Sequence, residues 1–254
     1  MISCLSISRR KKKNNLHVVI DEIKSALHDL ALPEKAAFFP RFFKAGKGEY
    51  AEGDAFIGVT VPDQRKIVKE YWQRISLPEI EELLSSKIHE HRHCALLILV
   101  NKFEKAKTEK DKNDIVRFYL KHKKFVNNWD LVDNSAYKIL GRHAFETENE
   151  NLLRSLAAEE NIWSKRMAIV ATMFYVKKGK FELLKELALY NMHHPHDLMH
   201  KANGWLLREM GNKNEAELFS FLKTNYHTMP RTTLRYAIEK MDEELRQDFL
   251  KGRI

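Results

Sequence analysis

Residues 16–30, Leu-His-Val-Val-Ile-Asp-Glu-Ile-Lys-Ser-Ala-Leu-His-Asp-Leu, set Leu16, Val19, Ile20, Ile23, Leu27 and Leu30 three and four apart. That is the period of a helix with one apolar face. The same period returns along the chain. Pro33, Pro62 and Pro78 each stand where a proline opens a helix, because a first-turn residue needs no backbone N–H. Further helical segments are expected at 94–100, 115–120, 131–140, 152–156, 166–176, 181–189, 197–210, 215–222, 232–241 and 244–250. The mixed charges of 102–114 are expected at the exposed end of a helix and its loop. Glycine and proline together number 15 of 254 residues, well below the roughly 12% of average usage, which disfavours a sheet protein with frequent tight turns. Gly46, Gly48, Gly53 and Gly58 fall in one connection, 46–61, the chief irregular segment.

A hydrophobic fraction of 44% over 254 residues supports one continuous core. The formal charge is +9, of which Arg9, Arg10, Lys11, Lys12 and Lys13 supply five, leaving +4 on the remainder. Residues 1–14 are therefore expected to be a disordered basic tail or an arm adding nonspecific DNA affinity, and 15–254 a single domain. A sequence pI near 9.3 favours polyanionic partners, nucleic acid first. Two distant cysteines, Cys4 and Cys94, give no disulfide framework and fit a reducing compartment. With no apolar run of about 18 residues, the expected protein is soluble and cytoplasmic, associated with the nucleoid through DNA, without a membrane partner.

Four residues stand out: Trp129, Asp133, Arg166 and Trp205. Asp133 to Arg166 is 33 residues and Arg166 to Trp205 is 39, close to the length of a HEAT or armadillo helix pair. Stacking about six such pairs would bring the four side chains to one concave surface. Trp129 and Asp133 are four apart and share a helix face if the segment is helical, although the local sequence taken alone favours Trp129 as core and Asp130 or Asp133 as a helix cap. Trp163 and Arg166 are three apart, so one can pack inward while the other faces a groove. Taken alone, Arg166 reads as a surface ion-pair partner. Lys201, Trp205 and Arg208 form a cationic stripe with an aromatic in its middle, suited to a phosphate backbone. Arg231 and Arg235, one turn apart after Pro230, would prolong it.

His89, His91 and His93 alternate before Cys94, and His193, His194, His196 and His200 precede the Trp205 helix. Neither group has the glutamate of HExxH or paired CxxC ligands. They are expected to be helix caps and neutral surface histidines, with no metal and no cofactor. No nucleophile elbow or glycine-rich phosphate loop is present.

Several long motifs in order resemble the AlkD family of DNA alkylation repair enzymes, HEAT-like-repeat DNA glycosylases, from about Leu16 to Met241. They are Gly53-Asp54-Ala55-Phe56-Ile57-Gly58-Val59 with Val61-Pro62-Asp63, Trp129-Asp130-Leu131-Val132-Asp133, Arg166-Met167-Ala168-Ile169-Val170, His200-Lys201-Ala202 with Gly204-Trp205-Leu206-Leu207-Arg208-Glu209, and Met229-Pro230-Arg231 with Leu234-Arg235-Tyr236-Ala237. The resemblance implies an all-α fold, a right-handed α-solenoid of about six helix pairs, whose concave basic face holds duplex DNA and releases N3- or N7-alkylated purines without deep base flipping. It implies Asp133 as the catalytic carboxylate, Trp129 and Trp205 as groove tryptophans and Arg166 as a backbone-binding arginine. Lys201, Arg208, Arg231 and Arg235 would be further DNA contacts. Phe42 stands where the best-known members offer a tyrosine, which bears on substrate range. A monomer is expected, since terminal repeats close a solenoid. Two other functions fit a helical-repeat chain. One is a noncatalytic protein binding branched or distorted DNA, against which Asp133 and both tryptophans argue. The other is a peptide-gripping adaptor, against which the cationic stripe argues.

Overall fold

The computed structural model describes residues 19–254, and the basic run Arg9–Lys13 lies outside them. The chain divides into two compact units, one up to Leu131 and one from Val132. Both are all-α, in repeated helical segments, and among the described residues β pairing is limited to one isolated parallel bridge, Ala55 with Ile88. No helix among them is long and apolar enough to cross a membrane.

In the first unit, α1 (19–29) buries Ile20, Ile23 and Leu27, the spacing that the opening stretch dictates. Next come α2 (Pro33–Phe42), α3 (Val61–Tyr71), α4 (Leu77–Leu84), α5 (His89–Lys105) and α6 (Glu109–His122). Prolines occupy the first turns of α2, α3 and α4. Thr60 caps α3 by accepting from the Asp63 N–H, and Ser76 with Glu79 forms a capping box on α4. Helix α5 is buried all round from His89 to Val100. Leu96, Ile98 and Leu99 are fully enclosed there, each worth about 1.5–3 kcal/mol of burial.

The charged run 102–114 departs from expectation. Only 106–108 is loop, because Thr108 accepts from the Asp111 N–H at 3.1 Å and starts α6 at once. Its charges pair along the helix, Lys112 with Glu109 at 2.9 Å and Arg117 with Asp114 at 2.5 Å.

The irregular connection between α2 and α3 is pinned from beneath. The Glu90 carboxylate accepts from the Ile57 N–H at 3.1 Å and the Gly58 N–H at 2.7 Å, and Gln64 Nε2 donates to the Val59 carbonyl at 2.9 Å. Gly58 has φ +85°, and a Cβ on it would lie 2.2 Å from the Leu32 carbonyl oxygen. Conformation and space both demand glycine here.

Helix α7 (Trp129–Ala136) crosses the boundary at 131–132 and continues as a π turn, Tyr137–Gly141. The second unit then holds α8 (Arg142–Glu146), α9 (Asn151–Ala158), α10 (Ile162–Ala171), α11 (Met173–Lys177), α12 (Glu182–Tyr190), α13 (Asp197–Lys213), α14 (Glu215–Asn225), α15 (Arg231–Ala237) and α16 (Glu243–Lys251). The segment expected as one helix at 166–176 breaks at Thr172, whose hydroxyl donates to the Ile169 carbonyl at 2.6 Å. Helices α13 and α15 touch through Gly204, where a Cβ would stand 2.5 Å from the Thr233 carbonyl oxygen. A larger residue would push apart the two helices that carry Trp205, Arg231 and Arg235.

Candidate active site

In the second unit, Asp133 on α7 meets Arg166 on α10 in a bidentate pair. Arg166 Nε donates to Asp133 Oδ1 at 3.0 Å and Nη2 to Oδ2 at 2.7 Å. The third nitrogen, Nη1, donates to the Leu198 carbonyl in the first turn of α13 at 2.6 Å. The Arg166 side chain is 6% exposed and that of Asp133 17%. A planar guanidinium with five N–H donors thus commits three of them internally, and its fork matches the carboxylate. Arg166 is therefore not the surface ion-pair partner that its local sequence suggests. It is buried, as is Trp163, and it fixes a carboxylate rather than projecting freely toward a phosphate. Asp133 is not a cap: its oxygens take side-chain donors.

Leu198 and Trp205 are seven residues apart on α13 and so share a face, about 10 Å apart along the axis. Trp205 is half-buried, and its indole N–H donates to Glu209 at 3.2 Å. The stripe expected to be cationic is largely neutralised. Lys201 pairs with Asp197 at 2.8 Å, and Arg208 hydrogen-bonds Glu239. Four residues along a helix bring Asp197 under Lys201, but the Glu239 partner comes from beyond α15 and no local spacing announces it. Arg231 and Arg235 are both exposed, with Arg231 Nη1 donating to the Leu250 carbonyl at 3.1 Å.

In the first unit, Trp129 opens α7 one turn before Asp133 and is half-buried rather than core. Its ring stacks on Phe43 at 5.5 Å and takes Phe42 edge-on at 5.7 Å. Phe42 is 47% exposed and Phe38, one turn earlier, 55%. Phe43 stacks in turn on Phe56 at 5.3 Å.

Behind these rings lies a buried charge network. His89 Nε2 meets Asp130 Oδ2 at 2.7 Å and its Nδ1 meets Asp54 Oδ2 at 3.4 Å, while Arg92 Nη2 donates to the same Asp54 oxygen at 2.6 Å. Burial opposes charging His89, but the charges and hydrogen bonds of Asp130 and Asp54 outweigh it and push the ring up to about 9. Burial also works against the ionised forms of Asp130 and Asp54, and in both His89 reverses it, with Arg92 helping at Asp54, so both carboxyls titrate below the usual range.

His89, His91 and His93, expected at the surface, are all buried in α5. His196 does act as a cap, its ring accepting from the Leu198 N–H. Among the described residues no group of three or more His, Cys, Asp or Glu side chains is placed to hold a metal ion.

The match to known proteins agrees with this architecture. Residues 23–241 match the model of one family, described as DNA alkylation repair enzyme. The chain belongs to the DNA alkylation repair enzyme family. Membership carries a role in DNA repair and DNA as the partner. A predicted DNA alkylation repair enzyme from Enterococcus faecalis superposes with a TM-score of 0.67 at 18% identity, over 84% of this chain and 97% of that one. At that identity the superposition speaks for the fold of this family member. No curated protein sequence matches the chain.

His89, Asp54 and Arg92 did not stand out as a site in the sequence. A signal was present: five polar residues, 89–93, open a helix whose next seven residues, Cys94–Val100, are all apolar. Such a helix is buried on every side, and its polar residues must then be paired.

Proposed function

We propose that this DNA alkylation repair enzyme is a monofunctional glycosylase, hydrolysing the N-glycosidic bond of positively charged N3- or N7-alkylated purines in duplex DNA. The observation that carries the proposal is the bidentate Asp133–Arg166 pair, which keeps one carboxylate ionised and oriented. An alkylated purine is already a good leaving group, and the transition state concentrates positive charge on the sugar. A carboxylate about 4 Å away contributes roughly 4 kcal/mol at an effective dielectric near 20, about a thousandfold in rate. The Arg166 charge behind Asp133 reduces that figure and aims what remains. The fork of Arg166 fixes the plane of the Asp133 carboxylate, so that it meets the developing sugar cation and aligns the attacking water in one orientation.

Trp129, one turn before Asp133 on α7, and Trp205, on the α13 face that carries Leu198, offer cation–π attraction of about 0.5–2 kcal/mol each. That attraction exists only for a charged lesion or sugar, so it favours alkylated over normal nucleotides. Phe42, edge-on to Trp129, supplies apolar contact where a tyrosine would offer a hydroxyl. Backbone positioning falls to Arg231, Arg235, Lys201 and Arg208.

The test is base release from duplex DNA carrying 7-methylguanine, with native protein and Asp133→Asn side by side. Release by the native protein that survives the substitution removes Asp133 from the chemistry. The ion pair also favours a second reading, since a buried Asp–Arg pair can serve stability alone. In that case the chain is a noncatalytic binder of branched or distorted DNA, and no abasic sites accumulate although the duplex is bound.

A further inference from the structure

The Asp133–Arg166 pair is braced from behind by hydrogen bonds that end in two histidines with no part in the chemistry above. The Leu198 N–H donates to His196 Nδ1 at 3.1 Å, and the His196 N–H donates to His194 Nδ1 at 3.1 Å. A backbone amide can only donate, so each Nδ1 is a bare acceptor and each ring is neutral with its proton on Nε2. On the other side of the same residue, the Leu198 carbonyl takes Arg166 Nη1 at 2.6 Å. A ring nitrogen thus seats a residue whose carbonyl seats the guanidinium that holds the carboxylate.

We propose that His196, backed by His194, is a positioning residue for Asp133, acting through Leu198 and Arg166. While neutral, the ring fixes Leu198 in the first turn of α13. Once protonated at Nδ1, it presents a donor to the donor of Leu198, and the brace on Arg166 is lost. The inference rests on Asp133 acting in base release.

The surroundings keep the brace neutral. Burial comes first at His196; Asp197 favours its charging, whereas His200 and Lys201 on α13 and Arg166 on α10 oppose it. At His194, burial, Lys165 of α10, His196 and His200 all act against a positive ring. Both histidines therefore titrate below their ordinary value, which leaves the brace intact at neutral pH. The distal end of the brace, the His-rich turn 191–196, needs no contact with DNA for this task.

The experiment uses the full chain as wild type, His196→Ala and His196→Asn, asparagine being an N-cap acceptor that does not titrate. Ring and guanidinium resonances are followed by NMR through an acid titration, and release of 7-methylguanine from duplex DNA is measured over the same range. In the wild type, the Arg166 Nε–H resonance moves as His196 protonates, and base release falls along the same curve. His196→Asn retains release at pH 7.5 and loses both the Arg166 shift and that acid limb. His196→Ala lowers release at neutral pH, on the order of tenfold to a hundredfold, the cost of a small displacement at a reacting centre, and the difference from wild type closes as His196 protonates. An Arg166 resonance that does not follow His196, or an acid limb unchanged in His196→Asn, overturns the proposal. Absence of release by the wild type defeats the glycosylase reading alone, and the Arg166 resonance then still decides whether His196 positions the pair.

Discussion

His89 and His196 are the same side chain held in opposite states. In the first unit, His89 lies between Asp130 and Asp54, two carboxylates that only accept, and it carries a proton on each nitrogen. In the second unit, His196 faces a peptide N–H that only donates, and its Nδ1 is bare. Burial pushes both rings toward neutrality; the partners decide the outcome. A buried imidazole is thus read from what it touches, since depth alone predicts the wrong state for His89. Each also sits one step behind a residue singled out in the sequence. His89 holds Asp130, the neighbour of Trp129, and His196 holds Leu198, the anchor of Arg166.

The strongest way to break this contrast is to remove His89. His89→Ala leaves the buried Asp130 carboxylate without its cation and is expected to destabilise the protein by about 3–5 kcal/mol, seen as a lower urea midpoint at unchanged slope. A loss below 1 kcal/mol would mean that His89 is not charged. Next comes Asp133→Asn, expected to slow base release by up to about a thousandfold, roughly 4 kcal/mol, while Asp130→Asn acts chiefly on stability. Equal effects of the two on turnover would merge the two regions functionally.

The pH dependence of stability sharpens the contrast further. His89 has its folded value raised to about 9, so its contribution is fully present below about 6.5 and is lost as pH rises through 9. That loss amounts to roughly 3 kcal/mol and is expected to disappear in His89→Gln. His194 and His196 have lowered folded values; their contribution is present above about 6.5 and is lost as pH falls through the folded values. Unfolding free energies measured from pH 5 to 9.5 therefore fall on both sides, with a different histidine variant flattening each limb. At pH 7.5, His196→Ala costs about 1 kcal/mol, the worth of a helix cap. The smallest effects concern charge at the proposed DNA contacts. Arg235→Ala is expected to lower the slope of log affinity against log salt by about one unit. Arg208→Ala changes it less, because Glu239 already occupies that guanidinium.

Much of the helical scaffold was legible from one dimension. The three-and-four spacing of Ile20, Ile23 and Leu27 needed no partner to be read, because an apolar stripe on a helix must be buried against something. Pro33, Pro62 and Pro78 marked first turns for an equally local reason. Segments whose stability comes from capping were misjudged. Thr108 and its charged partners made a helix where mixed charge suggested a loop, and a side-chain bond at Thr172 split a helix that periodicity ran together.

At the site, the sequence by itself determined which chemistry-bearing residues exist and which share a helix: Trp129 with Asp133, and Lys201 with Trp205 and Arg208. Spacing along a helix is a local property, set by 3.6 residues per turn. Only the tertiary structure decided partners and protonation. It brought Arg166 across 33 residues to Asp133, Glu239 to Arg208, and Asp54 and Asp130 to opposite nitrogens of His89. Those pairings depend on which helices pack together, and the charge on a buried ring depends on the atoms packed against it, which no spacing along the chain encodes.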